Sequence, residues 1–472
     1  MELRQYAALS AVEMARLVRQ GEVSPVELVQ SSLDAIEETE ARVNAYSAVF
    51  AEDAKARAAE LEKEARARSF RGPFHGVPVG IKDLFLVEGY KTQRGSKLYV
   101  DSVATETAPS VERLLAAGAI MIGKTTTPEL GWKAASNSPL YGVTRNPWDL
   151  SKTAGGSSSG SAVAVADGTV PLTLGSDGGG SMRVPASFCG IFSLKPTLAR
   201  VPTYPLSPTE HLSHAGPMTN RVEDYALALD VVQGPDARDP QALPPAGISY
   251  HETLGELPKL RCVLAPTLFG ATVDPGIAAV IADAFGEIAA HLPVEIVDAK
   301  LDWPDPIDIF DALWVARGAL YGGMKPEDVA RIDPGFARMV AGAASIRLED
   351  HFRTLQARAA FNRSVAETFE TFDLLVMPMV PIEPFAAEAD GPPDMDMDKP
   401  VPWARWTPFS YPFNLTGQPA ASIPCGWSPS GLPVGLQVIG PRFADDKVLQ
   451  FCAAWERHFD WRRRAPSVFA GS

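Results

Sequence analysis

Two glycine- and serine-rich stretches, each close to a short apolar strand pattern and a helix pattern, constrain this chain more than any other feature. The first reads Thr-Ala-Gly-Gly-Ser-Ser-Ser-Gly-Ser over residues 153–161, and the second reads Gly-Ser-Asp-Gly-Gly-Gly-Ser-Met-Arg-Val-Pro over residues 175–185. Turns this rich in glycine let backbone N–H groups converge on one point, which is how proteins hold an oxyanion or a phosphate. A serine at the end of such a turn is placed as a nucleophile. The competing interpretation, a flexible linker, is disfavoured by the regular elements on either side.

The segments around these turns alternate between strand-like and helix-like patterns. Short apolar runs at 77–82, 119–123 and 170–174 are typical of buried strands, whereas residues 110–117 and 160–166 are typical of helices. Strands that alternate with helices predict an α/β fold in which a sheet is covered on both faces.

The remaining parts of the chain carry weaker signals. Ser10 and Ser24 are each followed three residues later by glutamate, which predicts helices that begin with capping boxes. A Pro-rich segment at 378–412 separates two further strand patterns at 374–377 and 434–439. We expect a single domain with four parts: N-terminal helices 1–70, a core 71–235, a variable cap or flank 236–370, and a return to the core at 371–472.

A serine nucleophile needs a base, and histidine is the usual one. Nothing in the sequence ties any of the seven histidines to the glycine-rich turns. Lys82 is an alternative, because it follows the apolar run 77–81 and burial lowers the pKa of a lysine. On pattern alone, a solvated surface lysine at the end of a strand remains the simpler interpretation.

Several spaced motifs resemble those of the amidase signature family. The likeness is dense over 75–200, recurs over 371–450 and is vague between them. The family implies an α/β/α sandwich around a large twisted mixed sheet. The matching motifs are Gly76-Val-Pro78 with Lys82-Asp83, the Gly-Gly-Ser-Ser stretch from 155, Gly-Gly-Ser181-x-Arg183-x-Pro185, Gly123-Lys-Thr-x-Thr-Pro128, Asn146-Pro-Trp148, Phe188-Cys-Gly190, Leu194-Lys-Pro196, Gly417-Gln-Pro419 and the stretch 431–440.

The resemblance implies a serine–serine–lysine triad. Lys82 would be the base, Ser157 the relay and Ser181 the nucleophile that forms an acyl-enzyme. Asp177 and Arg183 also match the family, and we expect them to hold the second turn.

The resemblance also implies how the substrate carbonyl is held. Backbone amides of Gly178, Gly179, Gly180 and Ser181 would form the oxyanion hole, and Gly131 falls where relatives place a substrate-contacting residue. The family usually has Thr or Ile at position 178. We therefore expect this glycine to widen the site or to loosen the oxyanion hole.

Three other patterns match short motifs. Residues 118–125 satisfy the P-loop formula, but their apolar centre predicts a strand rather than a phosphate-binding loop. Residues 156–160 satisfy the nucleophile-elbow formula, with Ser158 as nucleophile, although no strand precedes them and a partner such as His351 or His458 would be required. The acidic stretch 394–398 predicts a solvated loop rather than a metal site.

Composition excludes several classes of function. The net charge of −14 disfavours a protein that mainly grips nucleic acid. No apolar run is long enough for a membrane span, and the N-terminal residues lack the pattern of a signal peptide. The four cysteines lack the paired spacing of zinc sites and predict reduced thiols. We expect a cytoplasmic monomer or homodimer that uses no cofactor and no metal.

The predicted function is hydrolysis of aryl or alkyl amides, or of related carbamates and esters. Five aromatic residues among prolines at 402–413, together with Trp132, predict an aromatic rim around the pocket that favours uncharged substrates. One alternative is an amidotransferase subunit that releases ammonia from glutamine for a tRNA-handling partner. Such relatives carry a stretch resembling Ala-Arg-Tyr-Asp-Gly, which this sequence lacks. The other alternative is a non-catalytic binding protein of the same fold.

Overall fold

The computed structural model describes residues 1–209 and 211–463. The part of the predicted C-terminal region at 464–472 lies outside the described residues. The strands are β1 (Tyr46–Val49), β2 (Pro78–Lys82), β3 (Ile120–Thr125), β4 (Asn137–Ser138), β5 (Gly142–Val143), β6 (Leu172–Asp177), β7 (Ser193–Lys195), β8 (His214–Thr219), β9 (Leu260–Leu264), β10 (Val294–Ile296), β11 (Leu374–Pro378), β12 (Ala420–Trp427) and β13 (Pro433–Ile439).

Helices surround these strands throughout the described chain. They are α1 (Leu3–Ala8), α2 (Ala11–Gln20), α3 (Pro25–Val43), α4 (Ala51–Arg66), α5 (Pro109–Ala116), α6 (Ser159–Ala166), α7 (Arg183–Cys189), α8 (Val222–Val232), α9 (Pro275–His291), α10 (Ile307–Ala316), α11 (Pro326–Val329), α12 (Pro334–Ala343), α13 (Leu348–Thr368), α14 (Pro412–Thr416) and α15 (Asp445–His458). Within residues 1–209 and 211–463, no helix combines the length and the apolar composition needed to cross a bilayer.

Eleven of the described strands form two mixed sheets that meet edge to edge, and β4 and β5 pair separately. One sheet has the order β1-β3-β2-β6-β8 and the other the order β10-β9-β11-β13-β12-β7. Phe192, just before β7, pairs with Thr219 at the end of β8 through two backbone hydrogen bonds of 2.8 and 3.0 Å. The predicted α/β fold with a mixed sheet is confirmed. In place of one large sheet, however, there are two sheets that this bridge links.

The strands β2, β3, β11 and β13 are buried on both faces, which explains their continuous apolar runs. In β3, Ile120 and Ile122 enter one hydrophobic cluster while Met121 enters another. In β11, Leu374 and Leu375 likewise enter different clusters. This period of two places both strands between two layers of the core.

The N-terminal helices begin as predicted. Ser10 Oγ accepts from the Glu13 N–H at 2.9 Å, and the Glu13 carboxylate accepts from the Ser10 N–H at 2.8 Å. The same reciprocal pair joins Ser24 and Glu27. Both capping boxes are therefore confirmed, and each satisfies two N–H groups that the helix itself leaves unpaired.

The second glycine-rich stretch begins later than the sequence predicts. Gly175, Ser176 and Asp177 continue β6 because they pair with residues 214–216 of β8. The turn therefore consists of residues 178–180. Because β6 lies beside and parallel to β2, Asp177 and Lys82 lie at the same edge of the sheet. This edge, at the carboxyl ends of parallel strands, is where open α/β sheets bind ligands.

Candidate active site

Lys82 is the last residue of β2, and its side chain is fully buried. Its Nζ donates to Ser157 Oγ and Ser158 Oγ, both at 2.8 Å, and to Ser176 Oγ at 3.0 Å. Burial lowers the pKa of Lys82 well below its ordinary value, and the negative charge of Asp177 only partly opposes this. The predicted desolvated lysine is thus present, and an uncharged amine can accept a proton.

Ser157 lies in the loop just before α6, directly after a cis peptide bond between Gly156 and Ser157. A Cβ on Gly156 would lie 2.3 Å from the Ala135 carbonyl oxygen, so only glycine fits there. Ser158 joins the two glycine-rich turns, because its N–H donates to the Ser181 carbonyl at 3.0 Å. The two predicted turns therefore form one site.

Ser181 follows the turn that leaves β6. Gly180 has a φ of 125°, and a Cβ there would lie 2.6 Å from Ser410 Oγ, so both conformation and space require glycine. The Ser181 side chain lines a cavity that also contains Ser157. In the described part of the chain, however, no hydrogen bond joins the two hydroxyls. Catalytic hydrogen bonds are often long before a substrate binds.

The predicted oxyanion hole needs one correction. The Gly180 N–H donates to Asp177 Oδ1 at 2.7 Å, so it is already engaged by a carboxylate. Within residues 1–209 and 211–463, the N–H groups of Gly178, Gly179 and Ser181 have no acceptor. The donors left for an oxyanion are these three.

A buried ionic network holds the turn, as expected for Asp177 and Arg183. Two of the guanidinium nitrogens of Arg183 lie 3.0 Å from the Asp177 carboxylate, and Asn414 Nδ2 donates to that carboxylate at 2.9 Å. Arg183 also donates to Asn414 Oδ1 and to Gln437 Oε1. Although burial alone would raise the pKa of Asp177, Arg183 holds it well below the usual range. Side chains of β13 and α14 thus hold the turn in place.

The cavity above these residues has a volume of about 280 Å³. It contains Gly131, where a Cβ would lie 3.1 Å from Ser157 Oγ, so the predicted contact residue adjoins the predicted relay serine. Apolar walls come from several distant segments. They include Leu84, Phe85, Leu130, Leu206, Ala215 and Trp314.

Gly178 does not widen the cavity, contrary to the prediction. A Cβ at this position would lie 3.1 Å from Cζ3 of Trp314, so the indole of α10 already fills the space beside the turn. The missing side chain at position 178 makes room for the Trp314 ring and not for a larger substrate.

The aromatic-rim prediction is wrong. Trp403, Trp406, Tyr411 and Phe413 are buried, and none of the segment 402–413 lines the cavity. Trp406 stacks on Phe188 with ring centroids 6.1 Å apart. Trp132 is also buried outside the cavity. These residues belong to a hydrophobic core, the more common place for aromatic side chains.

One histidine lies closer to the site than the sequence indicates. His214 lines the cavity and pairs with Asp177 across β8 and β6. Its Nδ1 lies 2.8 Å from the Leu212 carbonyl, and its Nε2 lies 3.2 Å from Lys195 Nζ. Burial lowers the pKa of His214 well below its ordinary value. Both ring nitrogens thus have partners other than Ser181.

The competing motifs occupy structural positions. Lys124 of the P-loop formula is buried in β3 and lies 3.3 Å from Asp83, so it is not free for phosphate. The four cysteines are buried thiols, as predicted. A cluster that the sequence did not reveal joins Glu287, His291 and His458 on the surface, outside the cavity, where their ligand atoms lie within 4.8 Å of one another.

Sequence reasoning missed the residues from the middle of the chain. Trp314, Arg317 and Tyr321 line the cavity, and so does Arg94. The first three follow one another on α10 and the 3₁₀ turn Arg317–Tyr321. Their spacing of three and four residues was the available signal, but nothing in the sequence connected that helix to the glycine-rich turns.

The chain is similar to known proteins along nearly its whole length. The Amidase family model matches residues 27–449. An acylamidase of Rhodococcus erythropolis is 34% identical over 472 residues, covering 97% of each chain. The glutamyl-tRNA(Gln) amidotransferase of Symbiobacterium thermophilum contains a subunit that is 35% identical, covering 95% of this chain and 96% of that protein.

The fold also has a close structural counterpart. The crystal structure of a bacterial aryl acylamidase of the amidase signature enzymes superposes with a TM-score of 0.89 at 28% sequence identity. The match covers 98% of this chain and 99% of the other.

Proposed function

Because the chain belongs to the amidase signature family and is an amide hydrolase, we propose that it cleaves carboxylic amides through an acyl-enzyme formed on Ser181. Lys82 and Ser157 complete the catalytic triad. The observation that carries this proposal is the buried Lys82 amine, whose Nζ lies 2.8 Å from Ser157 Oγ. A lysine whose pKa is lowered by burial is the base that this arrangement otherwise lacks.

The reaction follows from the order of the groups. Uncharged Lys82 accepts the Ser157 proton, Ser157 accepts the proton of Ser181, and Ser181 Oγ attacks the carbonyl carbon. The N–H groups of Gly178, Gly179 and Ser181 bind the oxyanion. The relay then returns a proton to the leaving amine, and water cleaves the acyl-enzyme by the same route.

The cavity supports amides with an aryl or alkyl group as substrates. Its walls are mainly apolar, and its volume of about 280 Å³ is near the lower end for small-molecule sites. The named activity of two relatives, acylamidase and aryl acylamidase, agrees with this class.

The test is hydrolysis of butyryl 4-nitroanilide by the purified chain, with no partner added. We expect turnover, and we expect a fluorophosphonate probe to modify the peptide that contains Ser181. Ser181→Ala should lose both. The matched control is Ser213→Ala, which removes another hydroxyl that lines the same cavity. Labelling that persists in Ser181→Ala would exclude Ser181 as the nucleophile.

The amidotransferase alternative rests on relatives such as the Symbiobacterium protein, whose identity to this chain equals that of the acylamidase within a percentage point. The same experiment separates the two functions. If the chain leaves anilides intact and needs partner subunits to release ammonia from glutamine, it works as part of an amidotransferase. If it is inert in both reactions, its amide substrate is neither an anilide nor glutamine.

A further inference from the structure

Two arginines at one end of the cavity have charges that no carboxylate of the described chain neutralises. Arg317 is 8% exposed, and burial lowers its pKa to about 10. Its Nη2 donates to the Leu130 carbonyl at 2.7 Å, while its Nε is buried without any hydrogen-bond partner. Its Cζ lies 4.6 Å from the centre of the Trp314 ring. A buried guanidinium with an unsatisfied N–H is costly unless a ligand completes it.

Arg94 also lines the cavity, and its backbone contacts the same residue, Leu130. The Arg94 carbonyl accepts from the Leu130 N–H at 2.7 Å. Leu130 is therefore hydrogen-bonded to Arg94 through its N–H and to Arg317 through its carbonyl. The Arg94 guanidinium lies 4.9 Å from the ring centre of Tyr99. Both Arg94 and Leu130 have positive φ, 56° and 51°. Non-glycine residues in this conformation tend to occur where a ligand is clamped.

The carboxylates of Glu129, Asp177 and Asp83 have other partners. Glu129, the residue before Leu130, accepts from the Ser96 hydroxyl and from the Asp333 N–H. Asp177 is paired with Arg183. Asp83 lies 3.3 Å from Lys124 and accepts the backbone N–H groups of Gln93 and Arg94. Within residues 1–209 and 211–463, neither the Arg94 nor the Arg317 guanidinium is hydrogen-bonded to a carboxylate. The cavity of a chain with a net charge of −14 is therefore locally positive at one end.

We propose that Arg317 and Arg94 bind a carboxylate on the amine side of the substrate, so that the enzyme prefers N-acyl aminocarboxylic acids. This inference rests on the proposed hydrolysis at Ser181. It replaces the expectation of uncharged substrates, which was drawn from the aromatic segment.

The position of Leu130 decides which side of the amide carries the anion. Gly131, the next residue, adjoins Ser157, the serine that returns a proton to the leaving amine. The group that extends past Gly131 and Leu130 toward Arg317 therefore belongs to the amine. In the complete reaction, water supplies the oxygen of the released acid and a proton to the amine, which leaves as an aminocarboxylate. A guanidinium with free N–H groups suits a carboxylate because two donors can face two oxygens.

The experiment compares N-butyryl-4-aminobenzoate with N-butyryl-4-aminoacetophenone, in which a neutral acetyl group replaces the carboxylate. The measured quantity is the ratio of kcat/KM for the anionic and the neutral amide. Because intrinsic reactivity cancels between enzyme variants, the change in this ratio reports the binding of the anion. We expect Arg317→Gln to lower the ratio roughly tenfold or more, mainly through KM, as loss of a charge-assisted hydrogen bond implies. Arg94→Gln should lower the ratio by less. Arg317→Lys should retain part of the preference for the anionic amide.

The matched control is Arg358→Gln. Arg358 is another largely buried arginine whose pKa burial lowers to about 10, and it donates to the Leu415 and His211 carbonyls at 2.8 and 2.9 Å, away from the cavity. This variant should leave the ratio unchanged. An equal ratio in Arg317→Gln and in the wild type overturns the inference, as does a preference for glutaryl anilide, which carries its carboxylate on the acyl side.

Calorimetry separates this inference from the proposed function. Binding of N-butyryl-4-aminobenzoate to Ser181→Ala requires no turnover, and we expect it to be lost when Arg317→Gln is added. Turnover of the neutral amide without any preference for the anion would refute the carboxylate site alone. Binding of the anion by a chain that hydrolyses neither amide would refute the proposed function alone.

Discussion

The core segment 71–235 and the flanking segment 236–370 contribute to the same cavity in different ways. The first supplies Lys82, Ser157 and Ser181, each held by buried hydrogen bonds to neighbouring turns. The second supplies Trp314, Arg317 and Tyr321 from one helix and the 3₁₀ turn after it. The difference teaches that the proposed catalytic groups all come from the core segment, whereas the flank contributes only to the walls of the cavity. Loss of a proposed catalytic residue should therefore affect every substrate, and changes in the flank should affect some substrates more than others.

The largest effect should come from Lys82→Met, which removes the proposed base and keeps an unbranched side chain. We expect kcat to fall by about 10³-fold or more for every amide tested, because the triad residues act as one unit. The measurement is single-turnover kinetics on the neutral and the anionic substrate. A loss confined to one substrate would break the comparison, since it would give the proposed base a role in selectivity.

The same substitution should stabilise the protein. The folded-state pKa of Lys82 lies below its unfolded value of about 10.4, so between these values the unfolded chain binds a proton that the folded chain does not. Stability contributed by this site therefore rises with pH through that window and is lowest in acid. We expect Lys82→Met to raise the free energy of unfolding at pH 7 and to flatten this dependence. Urea denaturation at several pH values measures it, and an unchanged slope would contradict a depressed pKa.

Activity should depend on the same titration of Lys82 and should also rise with pH. Because the base must be uncharged, kcat/KM of the wild type should rise with pH through the folded-state pKa of Lys82 and then level off. The rise should lie below the ordinary lysine value of about 10.4, since burial lowers this pKa. A pH–rate profile on the neutral amide tests the prediction, with Lys195→Met as the control for a second buried lysine.

A smaller, coupled effect is expected where the two regions touch. Gly178→Ala places a Cβ 3.1 Å from Trp314, so the indole or the turn must shift. In the Trp314→Ala background that contact is absent. A double-mutant cycle in kcat/KM should therefore give a coupling energy of roughly 0.5–3 kcal/mol. Additive effects would indicate that the two residues do not contact each other in solution.

Trp406 provides the corresponding test for the core aromatic residues. Its ring packs on Phe188 and Phe385, away from the cavity. Trp406→Ala should lower the free energy of unfolding by about 3–5 kcal/mol, as expected for a buried aromatic residue. The ratio of kcat/KM for anionic and neutral amides should stay the same below the melting transition. A changed ratio would restore the aromatic segment 402–413 as a determinant of specificity.

The smallest effect should come from the surface cluster of Glu287, His291 and His458. We expect His458→Ala, and treatment with a chelator, to leave kcat/KM within about twofold, as is usual for surface changes outside a site. Steady-state kinetics before and after dialysis against the chelator test this. Loss of activity that added zinc restores would require a catalytic metal, against the expectation from the sequence.

The sequence predicted the parts of the site that depend on local patterns. Glycines at 156 and 180 are required by close backbone approach, and such positions can be read from a glycine-rich turn. Capping boxes and buried strands also leave short-range signals. The position of Arg317 leaves none, because its contact with Leu130 joins residues far apart in the chain. The aromatic-rim prediction for segment 402–413 was wrong for the same reason. The composition of a segment does not show whether its rings face a cavity or the core.

One face of α10 and the turn after it touches both the oxyanion turn and the far end of the cavity. Phe310 lies against Gly179, Trp314 against Gly178, and Arg317 against the carbonyl of Leu130. These three positions are spaced by four and three residues, so they form a single stripe. Of these three side chains, Trp314 and Arg317 line the cavity, so a library restricted to these two positions would sample substrate range while Ser181 is retained. Phe310 packs against the turn itself at Gly179, and changes there should alter the turn rather than the cavity wall.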